Sequence, residues 1–228
     1  YIKTKEPTKQ FEGVGEMTSG TYGTINTGVA FGGPSAINQD LTYRLVLRKD
    51  YSDGFRKNLF SGKLNTSKKD ESTFRLKLDW DAGDKTLVKF LITQIDLDDP
   101  ADIWTIDGSL NTLSDRPGMD SQKTNAYGIK VFHQFDGFKF QSFTSVTNTD
   151  VVLSYDADWG NSDSHMPYIY DYFSETLRNR DTFSQELRFV SDSADFSSQN
   201  MTEWVVGLSF LDIKEENLKK DDGIYGDP

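Results

Sequence analysis

The residues of this 228-residue chain that could do chemistry gather between its regularly alternating stretches rather than within them. The densest set lies in the segment 151–182 and comprises Tyr155, Asp156, Asp158, Trp159, His165, Tyr168, Tyr170, Asp171 and Tyr172. Aromatic rings mixed with acids suit stacking against a sugar or an aromatic chelator, because a flat ring offers large contact area at low entropic cost. The same residues serve equally to pack one loop onto its neighbours. A second set, Asp96, Asp98, Asp99 and Asp102, presents the hard oxygens that calcium takes, but the spacing matches no EF-hand loop. A solvated acidic run is the expected reading, and no metal is assigned. Trp104 beside it reads as a ligand contact or as an anchor for its own loop.

Catalysis finds less support. The two histidines, His133 and His165, have no zinc-ligand spacing, and the first sits on an apolar strand face where it reads as structural. No local motif joins a serine, a histidine and an acid, and no Gly-rich phosphate loop follows a strand and opens a helix. The expectation is a protein that is not an enzyme and carries no cofactor. Cysteine is absent, which excludes disulfides and thiolate metal sites. The net charge of -11 argues against a nucleic-acid partner, since such proteins need a cationic stripe to displace phosphate counterions.

The elements that position these residues are strands. Asn125 to Asn148 reads NAYGIKVFHQF, then Asp136-Gly137, then FKFQSFTSVTN; Tyr127, Ile129, Val131, His133 and Phe135 alternate with Ala126, Gly128, Lys130, Phe132 and Gln134. Period 2 marks a β-strand with one apolar face. Asp-Gly between two such runs is a hairpin signal, because the type I′ turn needs positive φ at both central positions. The same pattern recurs at Phe11 to Gly32 (two strands joined at Ser19 to Gly23), Leu41 to Arg48, Phe74 to Trp80, Val88 to Ile92, Phe183 to Val190 and Trp204 to Phe210, which makes nine strands. Each hairpin arm is about ten residues, close to what a tilted strand needs to cross a bilayer. Mean hydropathy is only -0.60 and no run of 18 apolar residues exists, so a transmembrane helix is excluded. A β-barrel escapes such a scan, because its apolar surface occupies every second residue.

Connection lengths sharpen the reading. Ser52 to Ser72, Leu97 to Thr124 and Val151 to Thr182 are long polar connections, and they alternate with short or moderate ones at 32–40, Ala82 to Lys85, Asp136-Gly137 and Asp192 to Thr202. In an up-and-down meander, alternate connections emerge at the same end. Long loops on one side and tight turns on the other fit an outer-membrane barrel better than a soluble sandwich. Arg44, Arg48, Arg75, Lys77, Glu186 and Arg188 then face the lumen, although in a sandwich the same residues would be an ordinary solvated face. Trp80, Phe135, Phe138 and Trp204 fall beside the short turns and Tyr22 and Tyr51 at the other end, which suggests two aromatic girdles at membrane interfaces.

Several stretches resemble one family. Asp53-Gly54-Phe55-Arg56-Lys57-Asn58-Leu59-Phe60-Ser61-Gly62 resembles the DGY-KN-xx-G stretch of TonB-dependent outer-membrane receptors. Thr182-Phe183-Ser184-Gln185-Glu186-Leu187-Arg188-Phe189-Val190-Ser191 resembles their QFSQELRLxS strand, and Trp204, Gly207 and Phe210 match the W-xx-G-x-x-F that follows it. The opening Tyr1-Ile2-Lys3-Thr4-Lys5-Glu6-Pro7 is similar to the INVVTKKP end of their plug domain. The resemblance implies an all-β fold: an antiparallel up-and-down meander forming about nine strands of a 22-stranded transmembrane barrel. Residues 1–10 would be the end of the plug and 11–228 the N-terminal part of the barrel. It also implies a bacterial outer-membrane receptor that takes up a scarce ligand, such as a ferric siderophore, cobalamin or an oligosaccharide, with energy from TonB. Its partners would be outer-membrane lipid, the ligand or metal chelate, and the TonB complex acting through a plug that this stretch lacks. Trp104, Tyr155, Trp159, His165, Tyr168, Tyr170 and Tyr172 would be the ligand-binding residues of the extracellular loops. The chain carries no signal peptide and opens as if in the middle of a longer protein, and nine strands cannot close such a barrel, so a fragment is expected. A soluble carbohydrate-binding β-sandwich and a passive porin or barrel enzyme are the alternatives.

Overall fold

The computed structural model describes residues 3–191 and 203–227. The Tyr1-Ile2 start of the expected plug exit and the connection Asp192 to Thr202 lie outside the described residues. Eleven strands and no helix are present among them: β1 (Glu12–Ser19), β2 (Ile25–Pro34), β3 (Leu41–Ser52), β4 (Lys57–Asn58), β5 (Lys69–Asp81), β6 (Thr86–Pro100), β7 (Asn111–Thr112), β8 (Met119–Phe135), β9 (Phe138–Asp156), β10 (Ile169–Ser191) and β11 (Val205–Gly226). Nine form one sheet in the order β1-β2-β3-β5-β6-β8-β9-β10-β11, every pair antiparallel. β4 and β7 form a separate parallel pair that ties two loops together.

Turn chemistry sets the tight end. Phe135 pairs with Phe138 across Asp136-Gly137, and Gly137 has φ 87°, a left-handed conformation that costs other residues dearly. Thr86 begins β6 after Ala82 to Lys85, where the Ala82 amide donates to the Thr86 carbonyl at 2.9 Å.

The strands are longer than alternation alone suggests. β8 and β9 run 17 and 19 residues and β10 runs 23, so the long loops contract to 53–68, 101–118 and 157–168. The physical reason is visible in the register. One face carries rows such as Tyr43-Leu78-Phe90-Ile129 and Leu45-Leu76-Ile92-Tyr127-Val146-Phe183. Two residues further toward the loops the row reads Leu47-Phe74-Gln94-Asn125-Asn148-Asp181, and above it both faces are mainly polar, with isolated apolar residues such as Val152 and Leu177. Alternation of hydropathy fades there while the strands continue, held by backbone pairing and residues of good β-propensity such as Thr149, Val151 and Thr176. On β8 the apolar band runs from Phe135 to Tyr127. At roughly 3.3 Å per residue that is about 26 Å along the strand, and about 20 Å across after a tilt of about 40°, close to the apolar height of a membrane barrel.

No hydrophobic core accompanies this sheet. Ala101 is the one fully buried hydrophobic side chain among the described residues, whereas Ile129, Phe183 and Trp204 are exposed. A β-sandwich needs a second layer closing on the first, and among the described residues none covers this sheet, so the sandwich alternative is not the fold. The expected pair of aromatic girdles also forms only in part. Phe135 stacks on Phe138 at 4.8 Å, and Phe138 lies 6.3 Å from Trp204 and 6.1 Å from Phe189, a continuous belt beside the tight turns. At the other end Tyr22 packs on Phe55, and Tyr51 donates to Asp53 Oδ1 at 2.9 Å, so these rings belong to the loops.

Because nothing lies within 4 Å of a Cβ built at Gly137, Gly137→Ala strains only the backbone. It is expected to cost about 1–2 kcal/mol, read as a lowered urea midpoint of the folded protein in detergent. An unchanged midpoint would show that the turn does not need glycine.

Candidate functional site

The long loops fold into one polar unit. Loop 53–68 contributes β4 and loop 101–118 contributes β7, and their pairing sets Asn58 opposite Thr112. Both are sealed from solvent, at 1 % and 0 % exposure. The Asn58 amide donates to Asp102 Oδ2 at 2.9 Å and to the Ser114 carbonyl at 2.8 Å, while its own oxygen accepts from the Ser61 amide at 2.8 Å. Thr66 donates to the Asp102 carbonyl at 3.4 Å. Loop 157–168 joins through Asn161, whose side chain donates to the Leu113 carbonyl at 2.9 Å, and through the Asp115 amide, which donates to the Gly160 carbonyl at 3.0 Å. Buried polar atoms must find partners, and the sealed side chains of these loops are mostly polar while Phe55, Leu59, Ile106 and Leu110 stay exposed, so hydrogen bonds do most to fix their shape.

That unit carries the aromatic residues. Asp158 is the organiser: its Oδ1 accepts from the Gly160 amide at 2.7 Å, its Oδ2 from the Tyr172 amide at 2.8 Å, and His165 Nε2 lies 3.2 Å from its carbonyl. His165 then meets Tyr170 edge-on at 5.2 Å, and Tyr170 lies 5.0 Å from Tyr172. Trp104 packs on Tyr155 at 4.9 Å. Five of the expected residues therefore form two aromatic groups, whereas Trp159 and Tyr168 are exposed loop positions. Register places Tyr155, Tyr170 and Tyr172 on the polar face of the sheet. Asn58, Thr66, Ser114 and Asn161 were not singled out from the sequence, because a buried asparagine or serine in a polar loop carries no pattern that marks it.

The same face holds Arg44, Arg48, Arg75, Lys77, Glu186 and Arg188. Arg44 pairs with Lys77, and that row continues through Leu91, Gly128 and Ser145 to Ser184, two residues from Glu186. Residues 3–10 lie along this face. Lys77 donates to the Thr4 and Lys5 carbonyls at 3.2 and 3.1 Å and to Glu6 at 2.9 Å; Lys89 bridges Glu6 and Asp79, and Arg44 reaches Glu12 at 3.3 Å. Arg188 pairs with Glu186 at 2.5 Å and lies over the Phe143 ring. Arg48 is bidentate to Asp50.

The acidic run does not converge. β6 alternation sends Asp96 and Asp98 to one face and Asp99 to the other, where Asp99 accepts from the Asp70 amide at 2.7 Å. Burial pushes Asp99 above the usual carboxylate range. Asp102 serves Asn58 instead. Hydrogen bonds from Lys49 and then Lys68 hold Asp70 down to about 2. Among the described residues no three His, Asp or Glu side chains are grouped so as to hold a metal ion. His133 lies 2.8 Å from the Thr86 hydroxyl and against Phe135, a structural position.

Asn58→Ala would leave a buried carboxylate oxygen and a buried carbonyl without their donor, at about 1–3 kcal/mol each. Limited proteolysis within 53–68 and 101–118 is expected to accelerate at least tenfold; an unchanged rate would show that the unit does not hang on this side chain.

No protein-family model matches the sequence, and no curated protein matches it. Solved structures do. The ferric yersiniabactin uptake receptor FyuA of Yersinia pestis superposes over 99 % of this chain and 33 % of its own, with TM-score 0.66 at 15 % identity. FpvAI in complex with pyocin S2 matches over 94 % of this chain and 28 % of its own, with TM-score 0.60 at 16 % identity. FpvA of P. aeruginosa, bound to a heterologous ferric pyoverdine, matches over 94 % and 29 %, with TM-score 0.58 at 16 % identity. The chain thus spans about a third of the length of these receptors, and its fold is that of nine consecutive strands of their barrel wall.

Proposed function

We propose that this chain is the plug exit and the first nine strands of a TonB-dependent receptor in a bacterial outer membrane, and that the receptor takes up a ferric siderophore. The observation that carries the reading is a nine-stranded meander with a bilayer-height apolar band on one face and no core on either. Such a sheet is stable where lipid covers the apolar side and a closed barrel pairs both edges. The named ligands of the similar structures are ferric chelates, and paired aromatic groups at the loop end suit the flat, partly aromatic surface of such a ligand better than they suit cobalamin or an oligosaccharide. Residues 3–10, bonded along the polar face, occupy the place through which a plug would leave the lumen. TonB would act on that plug, upstream of the strands described. The chain's part is therefore reception, containment and passage, with no covalent chemistry.

Two measurements test this in the full-length protein. The chain has no cysteine, so single cysteines can be placed at neighbouring positions: one at Ile129 is expected to react with a lipophilic maleimide in proteoliposomes, and one at Lys130 only with a small polar reagent admitted to the lumen. Equal labelling of both by the polar reagent would remove the membrane reading. Titration of ferric chelates by tryptophan quenching is expected to show binding, weakened about tenfold by Trp104→Ala or Tyr155→Ala, since one aromatic anchor contributes about 1–2 kcal/mol. Binding of cobalamin or an oligosaccharide in place of every chelate tried would overturn the ligand class.

A further inference from the structure

Where loops 101–118 and 157–168 meet the end of β9, a set of oxygens lacks partners. Asp156 is 3 % exposed, and neither of its carboxylate oxygens makes a hydrogen bond of normal geometry; Ser114 Oγ, Asp102 Oδ1 and Asp115 Oδ1 are buried and unpartnered as well. The Asp156 carboxyl lies against the Ser114 hydroxyl and the Asp158 carboxyl. Two neighbouring buried carboxylates cannot both stay ionised without a donor between them. Asp158 has its donors, the amides of Gly160 and Tyr172. Asp156 has none. The charges around it do not repair this: Asp115 adds negative charge, and Arg116, the cation beside Asp115, is engaged with Asp171 and Asp222. His165 Nε2 stands 3.9 Å from Asp158 Oδ1.

We propose that Asp156 and Asp158 share one proton, held on Asp156 and directed at Asp158, and that this pair latches the two loops to the sheet, so that loss of the proton to water loosens the aromatic rim. The latch itself needs only the geometry of the loops; its bearing on ligand capture rests on the receptor reading above.

Burial, followed by repulsion from Asp158, raises Asp156 to about 7. In an opened loop its carboxyl would titrate near 3.8, the ordinary value. Between those values the closed state binds a proton that the open state releases. Closure is therefore firmest below about pH 4, weakens as pH rises, and stops changing above about pH 7, with the opening constant climbing about tenfold per pH unit in between.

The test is limited proteolysis of loop 157–168 in the full-length protein in detergent from about pH 5 to about pH 8.5, expressed as the rate for the wild type divided by that for Asp156→Asn, which cancels the protease's own pH dependence. The ratio is expected to rise about tenfold per unit up to about pH 7 and then level off. His165→Gln is expected to keep that profile. A flat ratio, or a profile abolished by His165→Gln, overturns the proposal, as does a profile erased by added Ca²⁺, which would assign the missing donor to a cation. Should Asp156→Asn fail to fold, infrared difference spectroscopy of the wild type decides: a protonated carboxyl band lost on titration through about pH 7 supports the pair, and its absence refutes it. A receptor that binds chelates with a flat profile would fail this proposal alone, and one with the profile but no chelate binding would fail the receptor reading alone.

Discussion

Hydrogen bonding between neighbouring strands holds this structure together, because almost nothing else is buried. The ladder from β1 to β11 is antiparallel and in sequence order, so the amides and carbonyls of every strand between the two edge strands are satisfied by its neighbours on either side. The side chains are then free to be sorted by surroundings rather than by packing, apolar to one face and charged to the other. That freedom explains why the sheet buries none of its large hydrophobic side chains among the described residues, the one buried hydrophobic residue, Ala101, lying in a loop. In water it would be a liability, since a wide apolar face and two open edges invite association. In a bilayer the same features are what a wall requires.

The loops solve the opposite problem. They rise clear of the apolar band and have no lipid to lean on, so their order comes from a network centred on Asn58, Asp102 and Asp158. Networks of this kind are stable only when each member is satisfied. The partnerless oxygens around Asp156 are the exception within it.

How much of this was legible follows from where the physics is periodic. From Leu41 to Leu47, from Phe74 to Trp80 and from Tyr127 to Phe140 one face is apolar, and period 2 marks nine strands, their order and the long-loop end. Above the level of Asn125 and Asn148 both faces are wet, the signal vanishes, and the upper halves of β9 and β10 read as loop. The aromatic residues were legible as a group because ring-rich segments stand out in a polar context, and Trp104, Tyr155, His165, Tyr170 and Tyr172 do meet as ring pairs. The residues that place them were not. Asn58 lay inside a stretch noticed for its likeness to other sequences, yet its burial depends on a parallel pairing with Asn111-Thr112 that no local pattern encodes.

The strands' excess length has a further consequence. From Phe183 at the top of the apolar band to Ile169, β10 continues for 14 residues, which at roughly 3.3 Å per residue and a tilt of about 40° is a rise of about 35 Å. The loop unit thus stands on paired strands well clear of the apolar band. Were the barrel closed, that rise would put a walled shaft between the loop end and the level of the apolar band.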